Sequence, residues 1–323
     1  MQARFWGTRG SLPASLNAAA IREKVSFALR KGIQRGLRSE EDVEAFMDNE
    51  LPFWVRGTFG TNTPCVELRD GKDFLLFDAG SGLRDFGQHA MKEHGPPFSE
   101  TFHILLSHLH WDHLQGFPFF VPAYVPGCRI VLHGCHPGID EAFTGQQSPP
   151  FFPVTLKELR AKIEFVTLMP GLSYEIAGFR VQAREQHHPG TSYGYRIEKA
   201  GRVVVYSTDS EHSGLSERAD PPFVDFIRDA DLLIFDAQYT FADACTVKEE
   251  WGHSNNLIGV EMARRAGVKH LCLYHMEPVS SDRDLEKYLE NTRKLATLLS
   301  EGPSLKVSVA WDGMVIEIPC LEP

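Results

Sequence analysis

Short apolar runs separated by polar turns dominate the chain, and their spacing alternates between that of strands and that of helices. Residues 66–68 and 74–77 flank Asp70-Gly71, a turn pair, and predict a hairpin. Residues 102–106 and 129–132 read as buried strands, and so do 179–183, 193–197, 203–206, 232–235 and 271–274. Residues 254–266 and 282–299 carry helical spacing, the latter through Leu285, Tyr288, Leu289, Thr292, Leu295 and Leu299. The alternation predicts a mixed α and β domain.

Two stretches depart from this rhythm. Ile21, Val25, Ala28, Leu29 and Ile33 form a stripe at helical spacing, and Ser39 is placed to cap a second helix carrying Val43, Phe46, Met47 and Leu51. Arg22, Lys24, Arg30, Lys31, Arg35 and Arg38 make the first of these helices basic. Residues 143–153 hold three prolines and three phenylalanines; the prolines disfavour regular structure there, and the aromatics call for a packing partner or ligand.

Composition narrows the class. Of the 323 residues, 42% are hydrophobic and 24% charged, as in a globular protein with a sizeable core. Residues 1–6 enter a strand-like pattern at once, no apolar run is long enough for a membrane helix, and no signal peptide is expected. Cys65, Cys128, Cys135, Cys245, Cys272 and Cys320 show no paired spacing, which fits reduced thiols and a cytoplasmic location. The formal net charge of -10 disfavours a protein that coats nucleic acid, yet it admits an anionic substrate wherever metal cations supply the local charge.

The densest chemistry lies directly after the 102–106 run, in Ser107-His108-Leu109-His110-Trp111-Asp112-His113. Four metal donors in six positions, at the end of a strand, suit zinc and similar divalent ions. The pattern His-x-His-x-Asp-His resembles the signature of the metallo-β-lactamase superfamily. Similar blocks occur along most of the chain: Gly7-Thr8-Arg9-Gly10-Ser11-Leu12-Pro13, Gly60-Thr61-Asn62-Thr63-Pro64-Cys65 and Phe77-Asp78-Ala79-Gly80-Ser81-Gly82 before the motif, and His188-Pro189-Gly190-Thr191, Tyr206-Ser207-Thr208-Asp209, Trp251-Gly252-His253-Ser254 and His275-Met276-Glu277-Pro278 after it. Together they resemble the phosphodiesterase branch, which includes bacterial cyclic nucleotide phosphodiesterases and ribonuclease Z.

The resemblance implies an α+β, four-layer αββα sandwich spanning 1–323 as one hydrolase domain, with residues 14–56 a helical insertion in an otherwise compact opening. That insertion reads either as a lid or dimer arm at an anionic ligand or as a hairpin packed on the body. The resemblance also implies two divalent ions, zinc first, with manganese and iron also accommodated. One is expected on His108, His110 and His188, the other on Asp112, His113 and His275, with Asp209 bridging. His187 competes with His188 for one place, and the His-Pro-Gly context selects His188. Asp78 is expected behind the ligands, orienting an imidazole.

On this reading a metal-bridged hydroxide attacks phosphorus, Asp112 orients it, and His253 donates a proton to the leaving alkoxide. The forked donors of Arg9 and Arg196 suit either phosphate contact or structural ion pairs. The expected substrate is a small phosphodiester, a cyclic nucleotide first. Transfer RNA 3′-end cleavage is the enzymatic alternative, and a ligand-sensing module on the same fold is the non-catalytic one.

Overall fold

The computed structural model describes residues 1–212, 220–240, 243, 248, 250–299 and 304–319. Fourteen strands among them form two seven-stranded sheets. The first runs in the order β14-β1-β2-β3-β4-β5-β6, with β1 Gln2–Gly7, β2 Cys65–Arg69, β3 Phe74–Phe77, β4 Thr101–Leu106, β5 Arg129–Gly134, β6 Lys162–Thr167 and β14 Val315–Glu317. The second runs β13-β12-β11-β10-β9-β8-β7, with β7 Ser173–Ile176, β8 Phe179–Gln186, β9 Ser192–Lys199, β10 Arg202–Ser207, β11 Leu232–Asp236, β12 His270–Tyr274 and β13 Lys306–Val309. Each sheet is antiparallel on one side and parallel on the other: β3 through β6 are parallel, as are β10 through β13.

Helices complete the layers. On the first sheet lie α4 Gly82–Glu93 and α5 Ile139–Gln146, whose Leu83, Phe86, Ala90, Ile139 and Phe143 pack with Phe102, Ile104 and Leu132. On the second lie α6 Pro221–Phe226, α7 Asn256–Arg265 and α8 Asp282–Leu298, which contribute Phe223, Val260, Ala263, Leu285 and Ala296 to a core with Val205, Leu233 and Leu273. Between the sheets, Phe5, Val66, Leu75, Phe77 and Leu105 meet Val181, Tyr195, Ile197, Tyr206, Ile234 and Tyr274. The result is the expected αββα sandwich. Among the described residues no helix is long and apolar enough to cross a membrane.

Three buried tyrosines of the second sheet anchor their hydroxyls on the first. Tyr195 donates to the Leu106 carbonyl (2.6 Å), Tyr206 to Asp78 Oδ2 (2.7 Å) and Tyr274 to the Gly7 carbonyl (2.6 Å). A buried phenol needs such a partner, so these bonds fix how the two sheets' strand ends face each other.

Residues 14–56 form α1 Ala18–Arg35, α2 Glu40–Asn49 and α3 Phe53–Arg56. Ser39 caps α2, its hydroxyl accepting from Asp42 N at 3.1 Å, while Leu51 lies beyond the helix end in a small core with Phe46, Trp54 and Val55. The α1 stripe does not pack on the body: Val25, Leu29 and Ile33 are 52%, 63% and 80% exposed. The 143–153 stretch is more regular than its prolines suggest. Its first residues finish α5, the prolines follow in turns, Phe143 packs edge-on against Phe117, and of its phenylalanines only Phe151 stands in solvent. Cys65, Cys128, Cys135 and Cys272 are buried free thiols; Cys245 and Cys320 lie outside the described residues.

Two buried histidines make stability sensitive to acid. Burial pushes His270, which contacts Ser308 Oγ at 2.8 Å, down to about 4, and pushes His133, paired with His103 at 3.0 Å, down to about 3. Between those values and the ordinary imidazole value of 6.5, the unfolded chain binds protons that the folded chain does not. Stability therefore falls as pH drops below 6.5, at full linkage by roughly 3 kcal/mol for His270 and roughly 5 kcal/mol for His133. Denaturant midpoints measured from pH 7 to 4.5 should show this decline, and His270→Asn should flatten it; an identical slope in the variant would exclude His270 as a cause.

Candidate metal centre

The parallel halves of both sheets end at one edge, and the loops leaving those ends carry the donors. His108, His110, Asp112 and His113 follow β4, the last two in a single 3-10 turn, Trp111–His113. His188 follows β8, Asp209 follows β10 and His275 follows β12. Asp209 and His275 have φ of 48° and 60°, and Asp78, just after β3, has 60°. Left-handed backbone is costly outside glycine, although Asp and His tolerate it better than most residues. At these three strand ends it turns the chain sharply.

The side chains converge on Asp209. Its Oδ2 lies 3.7 Å from His108 Nε2 and 3.7 Å from His188 Nε2. Its Oδ1 lies 3.3 Å from His113 Nε2 and 3.3 Å from His275 Nε2. Asp112 Oδ2 is 3.3 Å from both of the latter nitrogens. On the other side His188 Nε2 is 3.1 Å from His110 Nδ1. Overlapping donor groups result, each with its atoms within 4.8 Å of one another: His108 with His110 and His188, and Asp112 with His113 and His275; Asp209 joins His108 and His113, and His253 joins His188 and Asp209 as well as Asp236 and His275. His110 is the exposed member; the rest are buried.

The far nitrogens of four of these rings are held from behind. His108 Nδ1 meets Ser107 Oγ at 3.0 Å, His113 Nδ1 meets Asp78 Oδ2 at 2.8 Å, His188 Nδ1 meets the Gly252 carbonyl at 2.8 Å and His275 Nδ1 meets Gln238 Oε1 at 2.7 Å. Asp78 is itself held by Ser107 N and Tyr206. Such partners fix ring orientation and make the opposite nitrogen the donor. Space is equally constrained. A Cβ on Gly252, whose φ is +83°, would fall 2.3 Å from His188 Nδ1, and one on Gly10 would fall 2.6 Å from His275 Nδ1.

The residues fit cations. His108 Nε2 and His113 Nε2 are buried without any hydrogen-bond partner, an arrangement that folded proteins rarely tolerate in a polar atom with nothing to bind. Burial alone would raise the Asp112 and Asp209 pKa values, but the imidazoles of His113 and His275 hold both carboxyls well below their usual range. Two ionised carboxylates ringed by imidazole nitrogens form the mixed donor set that zinc, manganese and iron accept.

His253 stands over this cluster, its ring stacked on His275 at 5.2 Å between centroids and 5.1 Å from His188. Its Nδ1 is held by Asp236 Oδ2 at 2.8 Å. Burial would depress its pKa, but Asp236, Asp209 and Asp112 raise it to about 9. It lines an open cleft of about 460 Å³ with Ser11, Tyr239, Trp251, Glu250 and Glu277.

Arg9, Arg196 and His187 stand outside the donor groups. Arg9 is buried and its donors are spent: Nε on the Gly60 carbonyl, Nη1 on those of Glu277 and Ser280, and Nη2 beside Asp282 at 3.5 Å. Arg196 binds Glu198 and the carbonyls of Phe226 and Arg228, under α6 and away from the cleft. Both guanidiniums brace the fold, the structural one of the two roles that their sequence admits. His187 is exposed, neither core nor support, and only its backbone carbonyl is engaged, by Glu211 N.

Asp236 and Gln238 were not among the sequence candidates. Asp236 had a signal, a carboxylate closing an apolar strand as Asp209 does. Gln238 had none, since nothing in its neighbours announces that it faces His275. Gln238→Ala is expected to weaken metal affinity roughly 10- to 100-fold by freeing that ring. Competition with a chelator measures this, and unchanged affinity would remove Gln238 from the supporting set.

Comparison with known proteins agrees with this geometry. A family model described as the beta-lactamase superfamily domain matches residues 74–276. The chain belongs to that superfamily, in its metallo-β-lactamase fold, and is a metal-dependent hydrolase. It is 25% identical over 279 residues to ribonuclease Z of Brevibacillus brevis, covering 69% of this chain and 81% of that one. The metallo-beta-lactamase fold protein YhfI from Bacillus subtilis superposes with a TM-score of 0.61 at 19% identity, over 98% of this chain and 99% of that one. A diphosphatase of the PhnP family superposes with a TM-score of 0.59 at 18% identity, over 99% of each chain.

Proposed function

We propose that the chain hydrolyses a small phosphodiester, a cyclic nucleotide first, with two divalent cations held by His108, His110 and His188 and by Asp112, His113 and His275. Asp209 sits between them. The observation that carries this reading is the split of the Asp209 carboxylate, Oδ2 toward one donor group and Oδ1 toward the other. When bound, two such cations make water acidic enough to attack at neutral pH and offset phosphoryl charge. We take residues 1–323 as one catalytic domain in which 14–56 is an elaboration.

The protein's own groups divide the remaining work. Asp112, steadied by the Ser11 amide at 2.9 Å, keeps its carboxylate aimed at the centre. His253, fixed by Asp236, holds a proton beside the cleft for the leaving oxygen. Trp251, 58% exposed, offers aromatic surface on which a base can stack, and Glu250 lies at the same rim. Lys248, which lies against the lining residues Tyr239 and Glu277, is engaged by both, as a cation over the ring and as the ion-pair partner of the carboxylate. A polyanion draws its affinity from basic contacts along its backbone, so this rim favours a substrate with a single phosphodiester.

Transfer RNA 3′-end cleavage is the second reading, favoured by the likeness to ribonuclease Z. Metal-loaded protein assayed against cyclic mononucleotides, cyclic dinucleotides and precursor transfer RNA separates the two. Turnover of a cyclic mononucleotide at the higher kcat/KM is the expected result. Preferred cleavage of the transfer RNA would overturn the small-substrate reading, and no turnover of any phosphodiester with two metals bound would overturn both.

A further inference from the structure

α1 and α2 flank an open groove of about 600 Å³ lined by Val25, Leu29, Ile33, Val43 and Met47. Ile33 is 80% exposed and Leu29 63%, and α1 buries no residue at all. A helix whose stripe of aliphatic side chains faces water is incompletely partnered. It is nonetheless firmly anchored. Lys24 Nζ reaches the Trp54 and Gly57 carbonyls at 2.5 and 2.7 Å and Asp282 Oδ2 at 2.5 Å, so the groove is presented by a fixed element.

Charge identifies the occupant. α1 carries Arg22, Lys24, Arg30, Lys31 and Arg35 against the single acid Glu23, whereas α2 carries Glu40, Glu41, Asp42, Glu44 and Asp48 and no base. Arg22, Arg30, Lys31, Glu40 and Glu44 form no ion pair with the described residues. One hairpin therefore pairs a basic helix with an acidic one, with the apolar groove between them. A two-fold arrangement that lays α1 on the partner's α2 closes the apolar floor and pairs opposite charges twice. Laying α1 on the partner's α1 would oppose like charges on both sides. We infer that this hairpin is the interface of a homodimer, each copy's basic α1 lying on the acidic α2 of the other. The surface is self-complementary, and the inference is independent of the reaction assigned to the metal cleft.

Light scattering on the full chain is expected to give about 73 kDa at micromolar concentration, twice the 36.3 kDa chain. Leu29→Glu with Ile33→Glu should weaken the dimer by roughly 100-fold or more, because two charges would be buried unpaired. Both sites are exposed in the single chain, so an unchanged circular dichroism spectrum and melting point check that folding survives. A monomeric wild-type protein, or a dimer indifferent to these changes, overturns the inference. Charge reversal tests the arrangement. Arg22→Glu with Arg30→Glu, and separately Glu40→Lys with Glu44→Lys, should each yield monomers, and mixing the two variants should restore a mixed dimer. Single-sided reversals that leave the homodimer intact would overturn the α1-on-α2 arrangement.

Discussion

Asp209→Ala is expected to lower the metal content from two ions per chain to one or none and to slow hydrolysis of any phosphodiester roughly 10³-fold or more. The reason is geometric. Asp209 is the residue whose two oxygens face both donor groups, and it is ionised because buried imidazoles stand on both sides of it. The same variant leaves His108 and His188 facing a void where a carboxylate stood, so the loss is not confined to one position. Asp209→Asn gives a sharper test, since it keeps the side chain's size while removing the charge that two cations would share. Metal analysis of the purified variant checks the first half and steady-state rates the second. Two ions retained with a rate within tenfold of wild type would exclude the bridging role.

Much of this centre was legible in the sequence because its donors are tied to features that a one-dimensional pattern records. His108 to His113 follow a run, 102–106, that can only be a buried strand, and Asp209 and His275 close two more such runs. Position after a strand is position at an edge, and parallel strands bring their ends to one edge. The supporting groups were less visible. Gln238 meets His275 across 37 residues of chain, and nothing local reports that contact. The arginines stayed open between two roles for a related reason: a guanidinium near a glycine loop looks the same whether it faces substrate or spends its donors on carbonyls, as Arg9 does.

Periodicity has its own blind spot, visible in α1 and α4. Leu83, Phe86 and Ala90 of α4 form a stripe that is buried, whereas Ile21, Val25, Leu29 and Ile33 form one that is exposed. The spacing is equivalent in the two helices. Amphipathicity says that a face wants to leave water, and it does not say what covers it. Only the packed body, which takes up the α4 face and leaves that of α1, distinguishes core from surface.

His253→Ala is expected to cost about 10² to 10⁴-fold on a substrate whose leaving group is a ribose alkoxide, and much less on bis(p-nitrophenyl) phosphate. An alkoxide departs poorly unless a proton reaches it, whereas p-nitrophenolate is stable as it leaves. The His253 ring can serve because Asp236 holds Nδ1 at 2.8 Å and, together with Asp209 and Asp112, raises its pKa to about 9 despite burial. Cations bound beside it will lower that value, and the direction of the pH effect is unaffected. A general acid works only while protonated, so the contribution of His253 is present below its pKa and lost as pH rises through it. The alkaline fall in kcat/KM for the ribose-leaving substrate should therefore shrink in the variant. Metal content should stay at two, because His108, His110 and His188 on one side and Asp112, His113 and His275 on the other each supply three donors without this ring. Equal losses on both substrates, with the alkaline limb unchanged, would show that His253 positions the substrate and gives it no proton.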